Sequence, residues 1–332
     1  MTENIAGKKV LVTGAGGFIG SHLTEQLVRC GANVRAFVRY NSRADPGLLR
    51  QAAPEMRREI EIVAGDLRDS SAVQKAVEDV ELVFHLGALI SIPYSYHHPR
   101  EVVETNVIGT FNVLMACLDK GISRLIHTST SEVYGTALRV PIDEEHPLQG
   151  QSPYSASKIG ADKLVESFFR AYDLPVVTVR PFNTYGPRQS ARAVIPTIIT
   201  QALTQDEIYL GAMDTRRDFT FVSDTVSGFI RAAQAGSSIE GQTFNLGTGT
   251  EVTIGEVAQK ILEIINRPVR ILNDPQRMRP GKSEVMRLVS DNRLAGEALG
   301  WQPEVSLDDG LRQTIAWIHQ HLDDYRIGVY EL

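Results

Sequence analysis

Three glycines spaced three residues apart, Gly14, Gly17 and Gly20 in "VLVTGAGGFIGSHL", restrict what this chain can fold into more than any other stretch. An apolar, β-branched run precedes them and an amphipathic one follows, so a strand must turn sharply into a helix. In that setting the first glycine permits the turn, the second lets backbone approach a pyrophosphate, and the third lets helix and strand pack closely. The phosphate then sits on the helix N-terminus. A glycine pattern alone is weak; the strand before it and helix after it make a dinucleotide the expected ligand. Phe18 and Ile19, which open the helix, belong to the same expected cofactor set.

The pattern that begins there repeats. "KKVLVTG", "NVRAFVR", "EIEIVAGD", "ELVFHLGA", "RLIHTST" and "PVVTVRP" read as strands, separated by helical stretches such as "GSHLTEQLVRCG" and "NVIGTFNVLMACLDKG". Each of these helices closes on a glycine. Successive βαβ units of this kind build an α/β, Rossmann-like, doubly wound parallel sheet. After Pro181 the texture changes to turn-rich and mixed segments, which suits a smaller C-terminal α/β substrate lobe. At 332 residues the chain has room for both. The expected division is 1–180 for the nucleotide-binding domain and 181–332 mainly for the lobe, with segments around 218–248 returning to the main sheet.

Several positions at strand ends carry chemistry. When the cofactor is NAD, an acidic residue usually stands about 20 positions after the loop, to accept from the ribose 2′-hydroxyl. Here the second strand ends in Arg39, with Ser42 and Arg43 after it, so charge complementarity leans toward the 2′-phosphate of NADP over NAD. Asp66 and Leu67 in "GDLRD" are placed to meet the adenine, and Gly87 and Ala88 in "HLGA" are small enough to admit the cofactor. Tyr154 and Lys158 in "SPYSASK" are four apart, on one face of a helix. A nearby ammonium favours the phenolate, so the tyrosine is expected to titrate lower and remove a hydroxyl proton, and the same lysine can reach the nicotinamide ribose, which puts Tyr154 and Lys158 in the expected cofactor set as well. "TSTSEVYG", Thr128 to Gly135, places five hydroxyl side chains and the Glu132 carboxylate at the end of what reads as a buried strand.

Together "TGAGGFIG", "GDLRD", "NVIGT", "STSEVYG", "YSASK", "RPFNTYGPRQ" and "RDFTFVSD" resemble the extended short-chain dehydrogenase/reductase family over nearly the whole chain. That resemblance implies a nucleotide-sugar enzyme that oxidises a ring carbon and later returns the hydride. It maps the hydroxyl that assists the tyrosine onto Thr130, and gives Asn106 a part in shaping the site. Simple 4-epimerases of the family carry small residues where this chain has Ser131 and Glu132, whereas a 4,6-dehydratase needs a base for the C5 proton and assistance for the departing C6 hydroxyl. Glu132 is the implied base, and Ser131 stands where dTDP-glucose dehydratases have aspartate. "PIDEEHPLQGQSPYSASKIGADKL", "LISIPYSYHHP" and "RQSARAVIPTIITQAL" resemble the bacterial 4,6-dehydratases of the legionaminic and pseudaminic acid routes. Those act on UDP- or GDP-linked N-acetylglucosamine. UDP-glucuronate decarboxylases are the first rival, but they commonly read "YDEGKR" where this chain has "YSASKIG".

A sugar linked through a diphosphate needs cationic donors, and arginine's planar fork suits phosphate oxygens. Asn183 and Arg217 take this role by the resemblance and Arg279 fits it, with Arg188 and Arg192 as further cations. Ser91 joins the expected substrate set, and Tyr94 and Tyr96 are candidates for the sugar pocket. His97 and His98 lack carboxylate or cysteine partners at ligand spacing, so no metal is expected. The net charge, 34 − 40 = −6, argues against a nucleic-acid partner. No apolar run is expected to approach the ~20 residues of a membrane span. Two cysteines, Cys30 and Cys117, give no disulfide framework and suit a reducing, cytoplasmic setting. The family commonly pairs as a homodimer through two helices, for which "TFNVLMACL" and "IGADKLVESFFRAY" are the candidates.

Overall fold

The computed structural model describes residues 4–325, so the end of the expected lobe, 326–332, lies outside the described residues. Six strands alternate with helices as the apolar pattern requires: β1 (Lys9–Thr13), β2 (Asn33–Arg39), β3 (Glu61–Gly65), β4 (Leu82–His85), β5 (Arg124–Thr128) and β6 (Val176–Pro181). A seventh, β7 (Thr243–Leu246), joins the edge beside β6. All pair in parallel, in the order β7-β6-β5-β4-β1-β2-β3. Val10, Val12, Leu82, Phe84, Leu125 and Ile126 are buried, because helices cover both faces of the sheet.

From β1 the chain goes one way to β2 and β3, then crosses to the other side of β1 for β4. The connections after these two neighbouring strands therefore diverge and leave a crevice at their C-terminal ends, the switch point where such sheets bind ligands. Helix α1 (Phe18–Arg29) starts at that crevice. Helices α2 (Ser70–Val77), α3 (Gly109–Lys120) and α4 (Pro153–Tyr172) pack together on one face. α4 opens with a capping box between Ser152 and Ser155, and Pro153 occupies its first turn, so its start is well determined locally.

Helical structure begins before the expected start at Asn106. Pro99–Val103 leads through a π turn, Glu104–Ile108, into α3, making one helix from Pro99 to Lys120. It is 22 residues long and holds an apolar stretch of 18 residues, so by length and composition alone one helix among the described residues reaches the membrane-spanning range, against the expectation that no apolar run would approach it. The extension arises because Pro99 can start a helix and nothing breaks it before Gly121, whose left-handed φ of 62° ends it. Its inward residues Thr110, Val113, Leu114 and Cys117 are buried in the core between sheet and helices.

Past Pro181 the strands are short. Arg216–Arg217 pairs with Val252–Thr253, and Glu207–Leu210 with Arg270–Asn273. Helices α5 (Val194–Thr204) and α7 (Ile254–Ile265) pack on one another there. Between them in sequence, α6 (Val222–Gln234) returns to the main sheet and packs against α1, β5 and β6. The lobe thus roofs the C-terminal ends of the central strands.

Candidate active site

Beneath that roof lies a cavity of about 930 Å³. Its floor on the α1 side is the glycine loop: Gly14, Gly17, Phe18, Ile19 and Gly20 all line it. Gly14 holds φ +71°, and a Cβ there would stand 2.8 Å from the Gly87 backbone nitrogen. At Gly20 a Cβ would stand 2.1 Å from the Gly14 carbonyl oxygen, so only glycine lets α1 meet β1 this closely. Gly17 caps α1 without any side-chain acceptor, which leaves the first-turn amides for an anion. Asp66, Leu67, Gly87, Ala88 and Ser91 continue the wall. This cradle fits a dinucleotide.

Arg39 lines the cavity at the end of β2 and pairs with Glu101 at 3.4 Å. Ser42 and Arg43, expected beside it, do not line the cavity. Asn41 Oδ1 accepts from the backbone amides of Arg43 and Asp45, and this turn leaves Ser42 and Arg43 exposed while Asn41, Asp45 and Gly47 face inward. Asp66 engages Arg68 at 2.7 Å, and this pairing holds its carboxyl below the usual carboxylate range.

Across the cavity, β5 ends at Thr128 and the chain closes one 3₁₀ turn, Ser131–Tyr134, capped by Thr130 Oγ1 accepting from the Glu132 amide at 3.2 Å. That turn explains the polar composition of "TSTSEVYG": Thr130, Ser131 and Glu132 face the cavity while Val133 and Tyr134 enter a separate small core. Tyr154, from the first turn of α4, lines the same wall and hydrogen bonds to Thr130. Lys158 lies one turn further along and donates to the Thr128 carbonyl at 2.7 Å. Asn106 is fully buried, clamping the amide and carbonyl of Leu89 and donating to Ser157 Oγ.

One electrostatic expectation is corrected here. Burial pushes the Tyr154 phenol up; the Thr130 hydrogen bond lowers it in part, and the Glu132 charge raises it again. Lys158 does not relieve it, since the ammonium is directed to Thr128. Burial pulls Lys158 itself down to about 8, against the opposing pull of Asp162.

The lobe supplies Asn183, Arg192, Arg217 and Arg279. Arg217 Nη2 lies 3.4 Å from Glu284 Oε1, and Arg279 Nη1 lies 3.8 Å from Glu132 Oε1 and 3.9 Å from Glu284 Oε1. The two longer separations are beyond hydrogen-bonding range. Arg279 Nη1 and Asn183 Oδ1 are buried without a hydrogen-bond partner, and such groups await one. Arg188 belongs elsewhere: it pairs with Glu25 of α1 at 2.5 Å and does not line the cavity. Tyr94 and Tyr96 are also outside it, since Tyr94 donates to Glu101 and Tyr96 meets Ser283 Oγ at 2.6 Å. Among the described residues no group of three or more His, Cys, Asp or Glu is placed to hold a metal ion.

Glu284, five residues after Arg279, is not among the expected site residues; an acid within the basic stretch "RMRPGKSE" was the available signal. Thr184, Gln189 and Arg277 also line the cavity and carried no such signal.

The chain matches the GDP-mannose 4,6 dehydratase family over residues 11–314. It belongs to that family. It is therefore an enzyme of the nucleotide-sugar dehydratase, epimerase and decarboxylase group. Among curated relatives, a UDP-glucose 4-epimerase of Mycolicibacterium smegmatis is 34% identical, covering 92% of this chain and 97% of its own. A UDP-N-acetyl-alpha-D-glucosaminuronate decarboxylase of Bacillus cytotoxicus is 32% identical over 96% of this chain and 99% of its own. Among solved structures, the dTDP-glucose 4,6-dehydratase DesIV of Streptomyces venezuelae, with NAD and TYD bound, superposes with a TM-score of 0.84 at 30% identity. It covers 96% of this chain and 99% of that one. Three activities thus share this fold.

Proposed function

We propose that this member is a nucleotide-sugar 4,6-dehydratase acting on UDP-N-acetylglucosamine or its GDP-linked equivalent. The observation that carries this reading is the position of Glu132, a carboxylate on the same cavity wall as Thr130 and Tyr154, opposite the arginines of the lobe. Epimerisation at C4 requires one acid–base group; elimination across C5 and C6 requires a second.

A nicotinamide cofactor, when held by Gly14, Gly17, Gly20, Asp66 and Gly87, supplies the redox chemistry, taking a hydride from C4 and later returning one to C6. Tyr154 takes the C4 hydroxyl proton, with Thr130 orienting the phenol. The resulting C4 ketone acidifies the C5 proton, which Glu132 removes and passes to the C6 hydroxyl so that it leaves as water; a solvent proton then returns to C5 as the hydride is delivered to C6. Ser131, beside it, assists that departure. Arg217, Arg279 and Asn183 hold the diphosphate, with Arg192 a further cation lining the cavity. A doubly charged diphosphate draws the arginines from contacts of 3.4–3.9 Å because it offers shorter, charge-assisted hydrogen bonds.

The 34% identical epimerase supports 4-epimerisation as the second reading. Incubating the enzyme with UDP-N-acetylglucosamine, GDP-N-acetylglucosamine, UDP-glucuronate and dTDP-glucose separates the readings by product mass. Loss of water marks dehydration, loss of carbon dioxide decarboxylation, and unchanged mass epimerisation. If no substrate loses water, the dehydratase reading fails.

Arg39 tips the cofactor toward NADP, because its guanidinium can leave Glu101 for a 2′-phosphate. Arg39→Asp should then raise KM for NADP at least tenfold while lowering it for NAD; the same ratio in both proteins would discard this role.

The protein is a homodimer in this reading, through the outer faces of α3 and α4. Ile108 and Phe111 are exposed there, and the Phe111 ring meets Phe168 of α4 edge-on at 6.0 Å. Ile108→Glu with Phe111→Glu should yield a monomer by light scattering, and a wild-type monomer would exclude the dimer.

A further inference from the structure

We infer that Asp162 is a positioning residue that ties the catalytic strand end to α4 and keeps an anion beside Lys158. It lies four residues after Lys158 and eight after Tyr154, hence on the same face of α4. Its carboxylate accepts from three side chains on two strands. His127 Nε2 of β5 reaches Oδ1 at 3.0 Å, while Ser129 Oγ, just past β5, and Arg180 Nη2 of β6 reach Oδ2 at 2.7 and 3.0 Å. Asp162, His127, Ser129 and Arg180 are all buried. Such a buried carboxylate is tolerated because its acceptor sites are filled and a cation faces it.

The placement matters for catalysis. Ser129 stands between Thr128, whose carbonyl receives the Lys158 ammonium, and Thr130, which hydrogen bonds to Tyr154. Asp162 therefore anchors the one residue that separates the two contacts of the catalytic pair. The same carboxylate is the anionic group acting on Lys158, which would otherwise lose its proton more readily in this dry setting. The groups facing Lys158 are Asp162 and Tyr154 on its own helix, His85 on β4 and His127 on β5, with Arg180 of β6 beyond Asp162. Burial depresses both histidines, so they remain neutral and Asp162 is the anion of this cluster. Burial would raise Asp162, but the hydrogen bond from His127 and the nearby charge of Arg180 outweigh it and hold the carboxyl well below the usual carboxylate range.

The test is independent of which sugar the enzyme accepts. In the full chain loaded with NADP and labelled at lysine Cε with ¹³C, the Lys158 resonance, assigned by its loss in Lys158→Arg, is followed against pH. Asp162→Asn should move its midpoint down by about one unit or more, because an anion that favours the ammonium is gone. A second variant, Asp162→Glu, keeps the charge but misplaces the acceptor oxygens. It should leave the midpoint within about half a unit while solvent exchange at the Ser131 and Glu132 amides rises at least tenfold, the exchange reporting local opening. An unmoved midpoint in Asp162→Asn, or unmoved exchange in Asp162→Glu, overturns the inference. Should Asp162→Asn fail to fold, Asp162→Glu decides alone: a displaced midpoint or unchanged exchange refutes it.

Discussion

Glu132→Gln is expected to stop water loss while leaving oxidation at C4 intact. The amide cannot accept the C5 proton, so dehydration should fall on the order of 10²–10⁴-fold, the usual contribution of a positioned general base. The first half-reaction should survive. Glu132 raises the Tyr154 phenol, so neutralising it makes Tyr154 a somewhat easier proton acceptor, and the backbone cap from Thr130 does not use the Glu132 side chain. Single-turnover absorbance of the reduced cofactor should therefore appear and persist, with no product lacking water by mass. Undiminished dehydration would remove Glu132 as the base and move C5 proton removal to another group, with the carboxylate serving only to balance Arg279 at 3.8 Å.

Tyr154→Phe should abolish both half-reactions. The phenol is the group on this wall that can take the C4 hydroxyl proton, and phenylalanine keeps the ring while removing the oxygen. A fall of about 10³-fold in kcat is expected, with the nucleotide-sugar Kd within about threefold because the proposed diphosphate contacts come from Asn183, Arg217 and Arg279 and not from the phenol. Reduced-cofactor absorbance should be missing in this variant and present in Glu132→Gln, which separates the two roles. A Tyr154→Phe enzyme that still reduces its cofactor at the wild-type rate would move the proton transfer to another group. Burial raises the phenol, and the ammonium that was expected to lower it is directed to Thr128.

Much of the fold was legible because its signals are local. The glycine loop, the apolar strands ending at Thr13, Arg39, Gly65, His85, Thr128 and Pro181, and the Tyr154/Lys158 spacing each lie within a few residues of sequence, where helix and strand periods act directly. The start of the helix at Pro99 was missed because the π turn at Glu104–Ile108 interrupts the period by which helices are recognised. Arg43 shares the basic character of Arg39 and Ser42 offers a hydroxyl that could also reach a phosphate, and only the Asn41 turn separates their directions from that of Arg39.

By itself, then, the sequence determined a doubly wound sheet, a dinucleotide cradle whose glycines leave no room for a Cβ, and the placing of Tyr154 and Lys158 one turn apart on a helix. The tertiary structure decided which charges meet. Arg188 went to Glu25, whereas Arg217 and Arg279 came together around Glu132 and Glu284, and Asp162 joined two strands behind Lys158. These partners are distant in sequence and brought together by docking the lobe and α4 onto the sheet. No local period encodes such pairings, because they depend on where whole elements come to rest in the packed core.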